Sequence, residues 1–461
     1  MNKQQHTIAA IATANGMGAI GIIRMSGQDA IEICDKVFKG ADLTKAQSHT
    51  IHYGHIIDEN EILDEVMVSV FKAPKSFTTE NSVEISCHGS PYILENVLQC
   101  LIKNGAKMAE PGEFTMRAFL NGRIDLSQAE AVADLIASNS KAGRDLALQQ
   151  MRGGFATELK NLRTELIDFA ALLELELDFS EEDVEFANRK ELIENLQKIK
   201  RVLGALKSSF QYGNAIKNGV SVALVGKPNA GKSSWINALT NDEISIVSTI
   251  AGTTRDKVEA QLSINGVLYR LIDTAGIRET QDEIESIGVE RALSTIQKAD
   301  IVLFLFDANE TDFSTFEKEF KEINGLNTKA KTIIIANKAD LLALDYEQNN
   351  AVFKAYSNLY FLSAHRSDDV HFIKEQLSKA VEEMNHSESN YVVSNARHFE
   401  ALNQAYKDVE EVLHAFDLQL SSDLIAHTMH HAIKSIGSIT GEIDMDEDIL
   451  GAVFGKFCIG K

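Results

Sequence analysis

Proline is scarce in this chain, four among 461 residues, and none falls between Pro111 and Pro228. Nothing therefore forces a break in any helix of that long stretch. Cysteine is equally scarce. Cys34, Cys87, Cys100 and Cys458 form no C-x-x-C pair, which speaks against a zinc ribbon or a thioredoxin-like motif. So few thiols fit a reduced, cytosolic setting. No apolar run reaches the roughly 18 residues that span a bilayer. The opening residues Met1 to His6 are polar and carry no signal-peptide pattern, so a cytoplasmic chain without a membrane partner is expected. Positive charge is in deficit, with 45 Lys and Arg against 67 Asp and Glu and a net charge of −22. That balance argues against nucleic-acid binding through bulk charge and leaves room for a local basic patch or a basic partner. There is no internal repeat and no low-complexity tract.

What is present suits a multidomain globular protein. The length allows two to four domains, and 44% hydrophobic with 24% charged residues is ordinary for one. Residues 7–118 read as mixed α/β. Thr7-Ile-Ala-Ala-Ile-Ala leads through Gly16, Gly18 and Gly21 into Ile22-Ile-Arg24. Glu65-Val-Met-Val-Ser-Val-Phe71 and Ser82-Val-Glu-Ile-Ser86 alternate like half-buried strands, with Ala73-Pro74-Lys75-Ser76 as a loop between them. From about Ser127 the pattern turns helical. Leu159, Leu162, Leu166, Phe169, Ala170, Leu173 and Leu177 share one helix face. Residues 220–381 alternate strands with helices. The runs at 220–225, 267–272, 301–306, 332–336 and 359–362 read as strands, several continuously apolar as buried parallel strands are. Asn265-Gly266 signals a hairpin and hence one antiparallel edge strand. Residues 395–455 return to helix, and the two helical flanks are expected to pack as one domain around an insertion.

The insertion carries chemistry. Gly226-Lys-Pro-Asn-Ala-Gly-Lys232-Ser233 matches G-x-x-x-x-G-K-[ST] between an expected strand and an expected helix. Its backbone amides would cradle phosphates, with Lys232 reaching the β- and γ-phosphates and Ser233 on Mg2+. Asp273-Thr-Ala-Gly276 ends a strand, aiming Asp273 toward the Mg2+ and Gly276 toward the γ-phosphate. Asn337-Lys-Ala-Asp340 ends another, where a carboxylate accepts two hydrogen bonds that guanine donates and adenine does not. Ser363-Ala-His365 follows a further strand. Four motifs in order, each at a strand end, indicate a Ras-like P-loop GTPase domain that takes GTP. Gly252-Thr-Thr254-Arg-Asp256 fits a first switch, with Thr254 a second Mg2+ ligand.

One position departs from the Ras pattern. Where Ras-like proteins place a glutamine that orients the attacking water, this chain has Ile277, which has no hydrogen-bonding group. Another group must hold the water; Glu279, Asp282, Glu283 and Glu285 are near in sequence. Arg255 is a candidate finger, though an exposed switch arginine is more often structural. Asn229 could help hold a monovalent cation beside the phosphates.

Beyond these motifs the chain resembles the MnmE (TrmE) family, whose members modify the wobble uridine of certain tRNAs. Four stretches carry the resemblance: Thr7-Ile-Ala-Ala-Ile-Ala with Gly21-Ile-Ile-Arg24; Val83-Glu-Ile-Ser-Cys-His-Gly89; Pro111-Gly-Glu-Phe-Thr-Met-Arg through Leu126 with Gln128-Ala-Glu-Ala-Val-Ala133; and Phe454-Gly-Lys-Phe-Cys458-Ile-Gly-Lys461. The resemblance covers essentially the whole chain. It implies an N-terminal α+β domain (1–118) that binds a tetrahydrofolate derivative and dimerises. It also implies a helical domain from 119–215 and 385–461, with the GTPase domain (216–384) inserted. The family's Pro-Pro-Gly-Arg-Gly-like turn reads Ala14-Asn-Gly-Met-Gly18 here, and the last GTPase motif ends in His365 rather than Lys or Arg.

Carried over residue by residue, the resemblance implies folate contacts at Arg24, Glu84, Arg123 and Lys461, the folate being a 5-formyl or methylene derivative. Cations there suit the ligand's carboxylates or ring carbonyl. K+ would sit near Asn229, Ser248, Ile250 and Thr253 and stimulate hydrolysis as GTPase domains dimerise. Glu285 would position the water, and a catalytic role would fall to Cys458. The GTP contacts would run through Asn229, Ala230, Gly231, Lys232, Ser233 and Ser234, then Ser248, Thr249, Ile250, Ala251, Gly252, Thr253 and Thr254. Asp273, Thr274, Ala275, Gly276, Asn337, Lys338, Asp340, Ser363, Ala364 and His365 complete the set. The implied partner is an FAD- and NADH-dependent protein, MnmG (GidA), in a heterotetramer with a homodimer of this chain. FAD would belong to that partner, since no G-x-G-x-x-G follows a strand here. The product would be a C5-aminomethyl-type wobble uridine such as carboxymethylaminomethyl. The competing reading is a ribosome-assembly or regulatory GTPase switch without modification chemistry, against which stands the lack of a G-x-x-G RNA-binding module after the GTPase domain.

Ile277 and Asn229 together generate a first prediction. GTP turnover should be much faster in K+ than in Na+ at equal ionic strength, and equal rates would remove the cation from the mechanism.

Overall fold

A computed structural model describes residues 6–178, 189–240, 260–273, 293–342, 353, 355–385, 390–442, 453–455, 457 and 460. They form two compact units. The first takes Met1–Ile136, Gln150–Arg163 and Ile436–Lys461; the second takes Ala137–Gln149 and Thr164–Ser435.

The first unit is built on a seven-stranded sheet. In chain order its elements are β1 (Ile8–Ile11), β2 (Ile20–Ser26), helix α1 (Ala30–Val37), β3 (Phe38–Lys39), β4 (Thr50–Asp58), β5 (Glu61–Phe71), β6 (Ser82–His88), helix α2 (Pro91–Lys103) and β7 (Lys107–Met108). The sheet order is β3-β4-β5-β6-β2-β1-β7. Only β1 and β7 pair in parallel. Val66, Val68 and Val70 of β5 and Val83 and Ile85 of β6 alternate into a core closed by Ile33 and Val37 of α1 and Leu94, Val97 and Leu101 of α2. Strand β4 lacks a sequence signal for a physical reason. Its Ile51 and Tyr53 are exposed while Gly54 is buried, so apolar side chains sit partly on the wrong face for a period-two reading.

Two further helices, α3 (Glu113–Leu120) and α4 (Leu126–Ala137), complete this unit with residues from much later in the chain. Leu126 and Ala129 pack with Val453, Phe454 and Phe457. Gly112, at φ +70°, permits the approach: a Cβ there would lie 2.6 Å from the Phe454 carbonyl oxygen.

In the second unit the helices Arg189–Ser208 and Ala396–Asp417 run side by side. Leu192, Leu196, Ile199, Leu203 and Leu206 recur at helical spacing and are buried. Phe210 stacks on Phe399 at 4.4 Å between ring centroids. Lys200 Nζ donates to Glu410 at 2.8 Å. The helix Gly154–Asp178, whose residues divide between the two units after Arg163, buries Leu159, Leu162, Leu166, Ala170 and Leu173 as the spacing predicts, with Phe169 half-buried.

The same unit contains a six-stranded sheet: β8 (Val220–Val225), β9 (Ala260–Ile264), β10 (Val267–Asp273), β11 (Ile301–Asp307), β12 (Lys331–Asn337) and β13 (Leu359–Phe361). Its order is β13-β12-β11-β8-β10-β9. All pairings are parallel except the edge strand β9, antiparallel to β10. Asn265 (φ 52°) and Gly266 (φ 80°) make the turn between them, both in the left-handed region that a primed hairpin turn needs. Strands β8 and β11 are buried at every residue, which is why they read as apolar runs, interrupted in β8 only by Ser221, whose hydroxyl donates to Asp300, and ended in β11 by Asp307. The helices Lys232–Thr240 and Ser367–Met384 cover one face, and Phe313–Leu326 covers the other. Because the central strands are parallel, Val225, Asp273, Asp307 and Asn337 all emerge at one edge of the sheet.

Ser209 joins the helical part to the segment after Met384. Its Oγ donates to the Leu206 carbonyl at 2.7 Å and accepts from the Val393 amide at 2.9 Å, in a buried setting. Ser209→Ala orphans that amide. It should cost about 1–3 kcal/mol, read as a lower urea midpoint of the helical circular-dichroism signal; an unchanged midpoint would show that the amide finds another partner.

Candidate nucleotide site

The loop between β8 and the helix Lys232–Thr240 is shaped by close backbone approach. A Cβ on Gly226 would lie 2.1 Å from the Leu305 carbonyl oxygen of β11, and one on Gly231 would lie 2.0 Å from Asn337 Nδ2. Neither position accepts a side chain, so the loop presents backbone to anything it holds. Asn229 adopts φ 66° at the exposed tip. Lys232 is buried, and its Nζ donates to the carbonyls of Gly226 and Lys227, each at 2.8 Å. A buried ammonium needs such partners; here they hold it inside the loop. Ser233 and Ser234 lie exposed in the first turn of the helix, whose N-terminal amides and dipole favour an anion. Asp273, buried at the end of β10, pairs in register with Leu224, one residue before the strand runs into the loop.

The Asn337 motif is physically tied to this loop. Asn337 Nδ2 donates to the Ala230 carbonyl at 2.8 Å, and its Oδ1 accepts from the Trp235 indole Nε1 at 3.0 Å. Next to it, Lys338 (φ 61°) pairs through Nζ with Asp307 Oδ2 at 2.6 Å. Burial works to raise the Asp307 carboxyl, but hydrogen bonds from Lys338 and Asn309 outweigh it and hold the group below the usual carboxylate range. The Ser363 hydroxyl hydrogen-bonds the Asp340 carboxylate and likewise lowers it, so this exposed acid is ionised at neutral pH. The Ala339 amide donates to the Leu362 carbonyl at 3.2 Å, and the His365 amide to Ser363 Oγ at 3.2 Å. The structure thus assembles the described positions Asn229 to Ser234, Asp273, Asn337, Lys338, Asp340 and Ser363 to His365 at one edge of one sheet. Sequence reasoning missed Asp307, Asn309 and Trp235. Asp307 was findable, since it ends an apolar strand as Asp273 and Asn337 do.

In the first unit, Arg24, Glu84 and Arg123 come together. Arg24 and Glu84 are direct partners across β2 and β6, and Arg24 Nε and Nη2 donate to Glu84 Oε1 at 2.9 and 2.7 Å. The Arg24 guanidinium lies 6.0 Å from the Phe77 ring centroid and 5.8 Å from that of Phe114, while the Arg123 guanidinium lies 5.8 Å from Phe77. Arg123 also donates to the Ser76 carbonyl. Gly460 packs on β1: a Cβ there would lie 2.3 Å from the Ile11 carbonyl oxygen. Phe77 and Phe114 had no sequence signal as site residues, since a lone phenylalanine reads as core.

Several expected positions lie outside the described residues. They are Ser248, Thr249, Ile250, Ala251, Gly252, Thr253 and Thr254; Thr274, Ala275, Gly276 and Ile277; Arg255, Asp256, Glu279, Asp282, Glu283 and Glu285; and Cys458 and Lys461. The three described cysteines, Cys34, Cys87 and Cys100, are buried and outside any disulfide. Burial pushes the Cys87 thiol up to about 12, a setting for packing rather than reactivity. Among the described residues no helix is long and apolar enough to cross a membrane.

Residues 7–123 match the family described as GTP-binding protein TrmE N-terminus, and residues 126–458 match the MnmE helical domain. Among curated proteins, the tRNA modification GTPase MnmE of Cytophaga hutchinsonii is 47% identical over 99% of this chain and 98% of its own length. The protein of the same name from Flavobacterium johnsoniae is 47% identical over 99% of both chains. Among solved structures, Era in complex with MgGDPNP and a segment of 16S ribosomal RNA is 27% identical over 41% of this chain and 66% of that one, with a TM-score of 0.28.

The Asp340 carboxylate makes the base preference testable. Asp340→Asn puts an amide donor against guanine's own donors, so binding of guanine nucleotides should weaken on the order of 10- to 100-fold. ATP binding should stay as weak as before. Unchanged GDP affinity by calorimetry would remove Asp340 from base recognition.

Proposed function

The chain belongs to the MnmE family of tRNA modification GTPases, and on that premise we propose that it hydrolyses GTP to drive modification of C5 of the wobble uridine of certain tRNAs. The observation that carries this reading is the junction of a phosphate-type loop with the Asn337 and Asp340 motifs, in a chain that aligns with such relatives over nearly its whole length. The loop amides and Lys232 hold the GTP phosphates, Ser233 with Thr254 holds Mg2+, and Asp340 reads the guanine edge. Glu285 orients the attacking water, because Ile277 has no group to do so. Asn229, with Ser248, Ile250 and Thr253, would hold K+, which would supply the positive charge that an arginine finger otherwise brings.

The folate reading is supported by the convergence of Arg24, Glu84 and Arg123 on Phe77 and Phe114. Two guanidiniums beside aromatic faces, one of them paired with a carboxylate, offer what a flat heterocycle with ring amides and carboxylate tails requires. Bound there, the tetrahydrofolate derivative supplies the one-carbon unit. The residues' own task is to orient it: Glu84 accepts from ring N–H groups, and Arg24 and Arg123 donate to carbonyl or carboxylate oxygens. The packing of Gly460 on Ile11 supports Lys461 as a fourth contact, and a catalytic role falls to Cys458 by the family resemblance. The chain works as a homodimer with an FAD-bearing MnmG-type partner in the cytoplasm. That partner contributes basic surface for tRNA that a chain of net charge −22 has little of.

Nucleoside mass spectrometry of total tRNA, from cells with and without the chain, tests this reading. Loss of a C5-aminomethyl-type wobble uridine is expected, restored by the wild type and not by Lys232→Ala. An unchanged nucleoside profile would leave a GTP-binding protein and bring the assembly-switch reading forward.

A further inference from the structure

We propose that Trp235 is a positioning residue for nucleotide recognition, acting through Asn337 to lock the base-reading segment onto the phosphate-binding loop. The proposal rests on the guanine-nucleotide reading of the site.

Trp235 is the only tryptophan in the sequence, and it is fully buried in the first turn of the helix that opens at Lys232. Ring burial alone would make it core, and it does pack with Val222, Leu224 and Leu239 in the hydrophobic cluster beneath the helix. Its indole N–H, however, is spent on one atom: Asn337 Oδ1, at 3.0 Å. An amide has two ends. With Oδ1 accepting from the indole, the opposite end, Nδ2, faces the Ala230 carbonyl and donates to it at 2.8 Å. The reverse rotamer would set an NH2 against the indole N–H and an oxygen against a carbonyl, two repulsive contacts in a buried site. Trp235 thereby fixes which way Asn337 points.

That orientation matters because of where the amide sits. Asn337 Nδ2 occupies the space a Cβ at Gly231 would need, 2.0 Å from it, so the amide rests directly on the loop. Asn337 ends β12, and Lys338 to Asp340 follow it, with Asp340 held by the Ser363 hydroxyl. The indole, the amide and the Ala230 carbonyl therefore form one buried chain from the phosphate loop to the segment that reads the base. Removing the indole donor leaves Asn337 Oδ1 buried without its partner, and the amide is then held only by its bond to the Ala230 carbonyl. The two halves of the site are then held less firmly in mutual register, and the loss falls on affinity for the whole nucleotide.

The test is a double-mutant cycle read with mant-labelled GDP and Mg2+ on the full chain. Trp235→Phe keeps an aromatic ring and deletes the N–H; its Kd for mant-GDP should rise about five- to tenfold, the low end of the range for one buried hydrogen-bonding group left unsatisfied. Asn337→Ala should raise Kd at least as far. The double variant should match Asn337→Ala alone, because Trp235 acts only through that amide. Effects that simply multiply, or a Trp235→Phe Kd equal to wild type, would overturn the proposal and leave Trp235 as packing, whatever the unfolding midpoint does. An Asn337→Ala chain with wild-type affinity would instead overturn the nucleotide reading itself. If Trp235→Phe does not fold, the wild-type indole serves as its own probe. The chain's one indole N–H resonance in a 15N-labelled sample should move when Asn337 becomes alanine, and an unmoved resonance would equally overturn the proposal.

Discussion

The geometry of the nucleotide site follows from one steric constraint: the loop after β8 presses its backbone against the neighbouring strand and the neighbouring motif with no room for a Cβ at Gly226 or Gly231. A loop so placed can only offer main-chain groups, and main-chain amides at a helix N-terminus favour phosphate. The constraint propagates outward. Lys232 must be folded in under the loop, where carbonyls of Gly226 and Lys227 receive it. Asn337 must use its amide, the group that fits the gap, to seal the loop from the side. Parallel strand order places Asp273, Asp307 and Asn337 at the same edge, so the remaining polar groups arrive without long connections.

The two units use charge differently. At the nucleotide site acids and bases are paired locally, Lys338 with Asp307 and Asp340 with the Ser363 hydroxyl, so that the exposed groups keep defined protonation near neutral pH. In the first unit the cluster around Phe77 mixes two guanidiniums with one carboxylate and two aromatic rings. That composition suits an anionic, flat ligand and differs from the phosphate loop, which uses backbone in place of side chains. A strongly acidic chain can carry such local groupings of positive charge because each acts at short range, and the net charge acts only at longer range.

Legibility in the sequence followed periodicity. Strands β8, β11 and β12 were readable because burial on both faces makes nearly continuous apolar runs, β10 and the half-buried β13 because apolar residues cluster there, and the Asn265-Gly266 turn announced β9. The loop residues Gly226 to Ser233 were readable because their spacing is set by a phosphate. Strand β4 was not, since Gly54 rather than an apolar side chain occupies its inner face at the crucial place. Trp235, Phe77 and Phe114 were also invisible as functional groups: a buried aromatic residue looks the same from sequence whether its edge carries a hydrogen bond or none. The meeting of Arg24, Glu84 and Arg123 was legible only through family resemblance, because their spacing along the chain has no local period.

Val453, Phe454 and Phe457 complete a hydrophobic cluster begun by Leu126 and Ala129, and Gly460 rests on the first strand. Most of the polypeptide in between, Ala137–Gln149 and Thr164–Ser435, makes the second unit. During synthesis, then, the first sheet is translated long before the residues that finish its surroundings, and the nucleotide-binding sheet emerges in the interval. The strands that carry the phosphate-type loop and the Asn337 motif are thus complete in the chain before the residues that pack on Leu126 and Ala129 have been made. The last turns of the polypeptide therefore act as a late fastener: they finish the first unit's hydrophobic cluster only after every strand of both sheets has been translated.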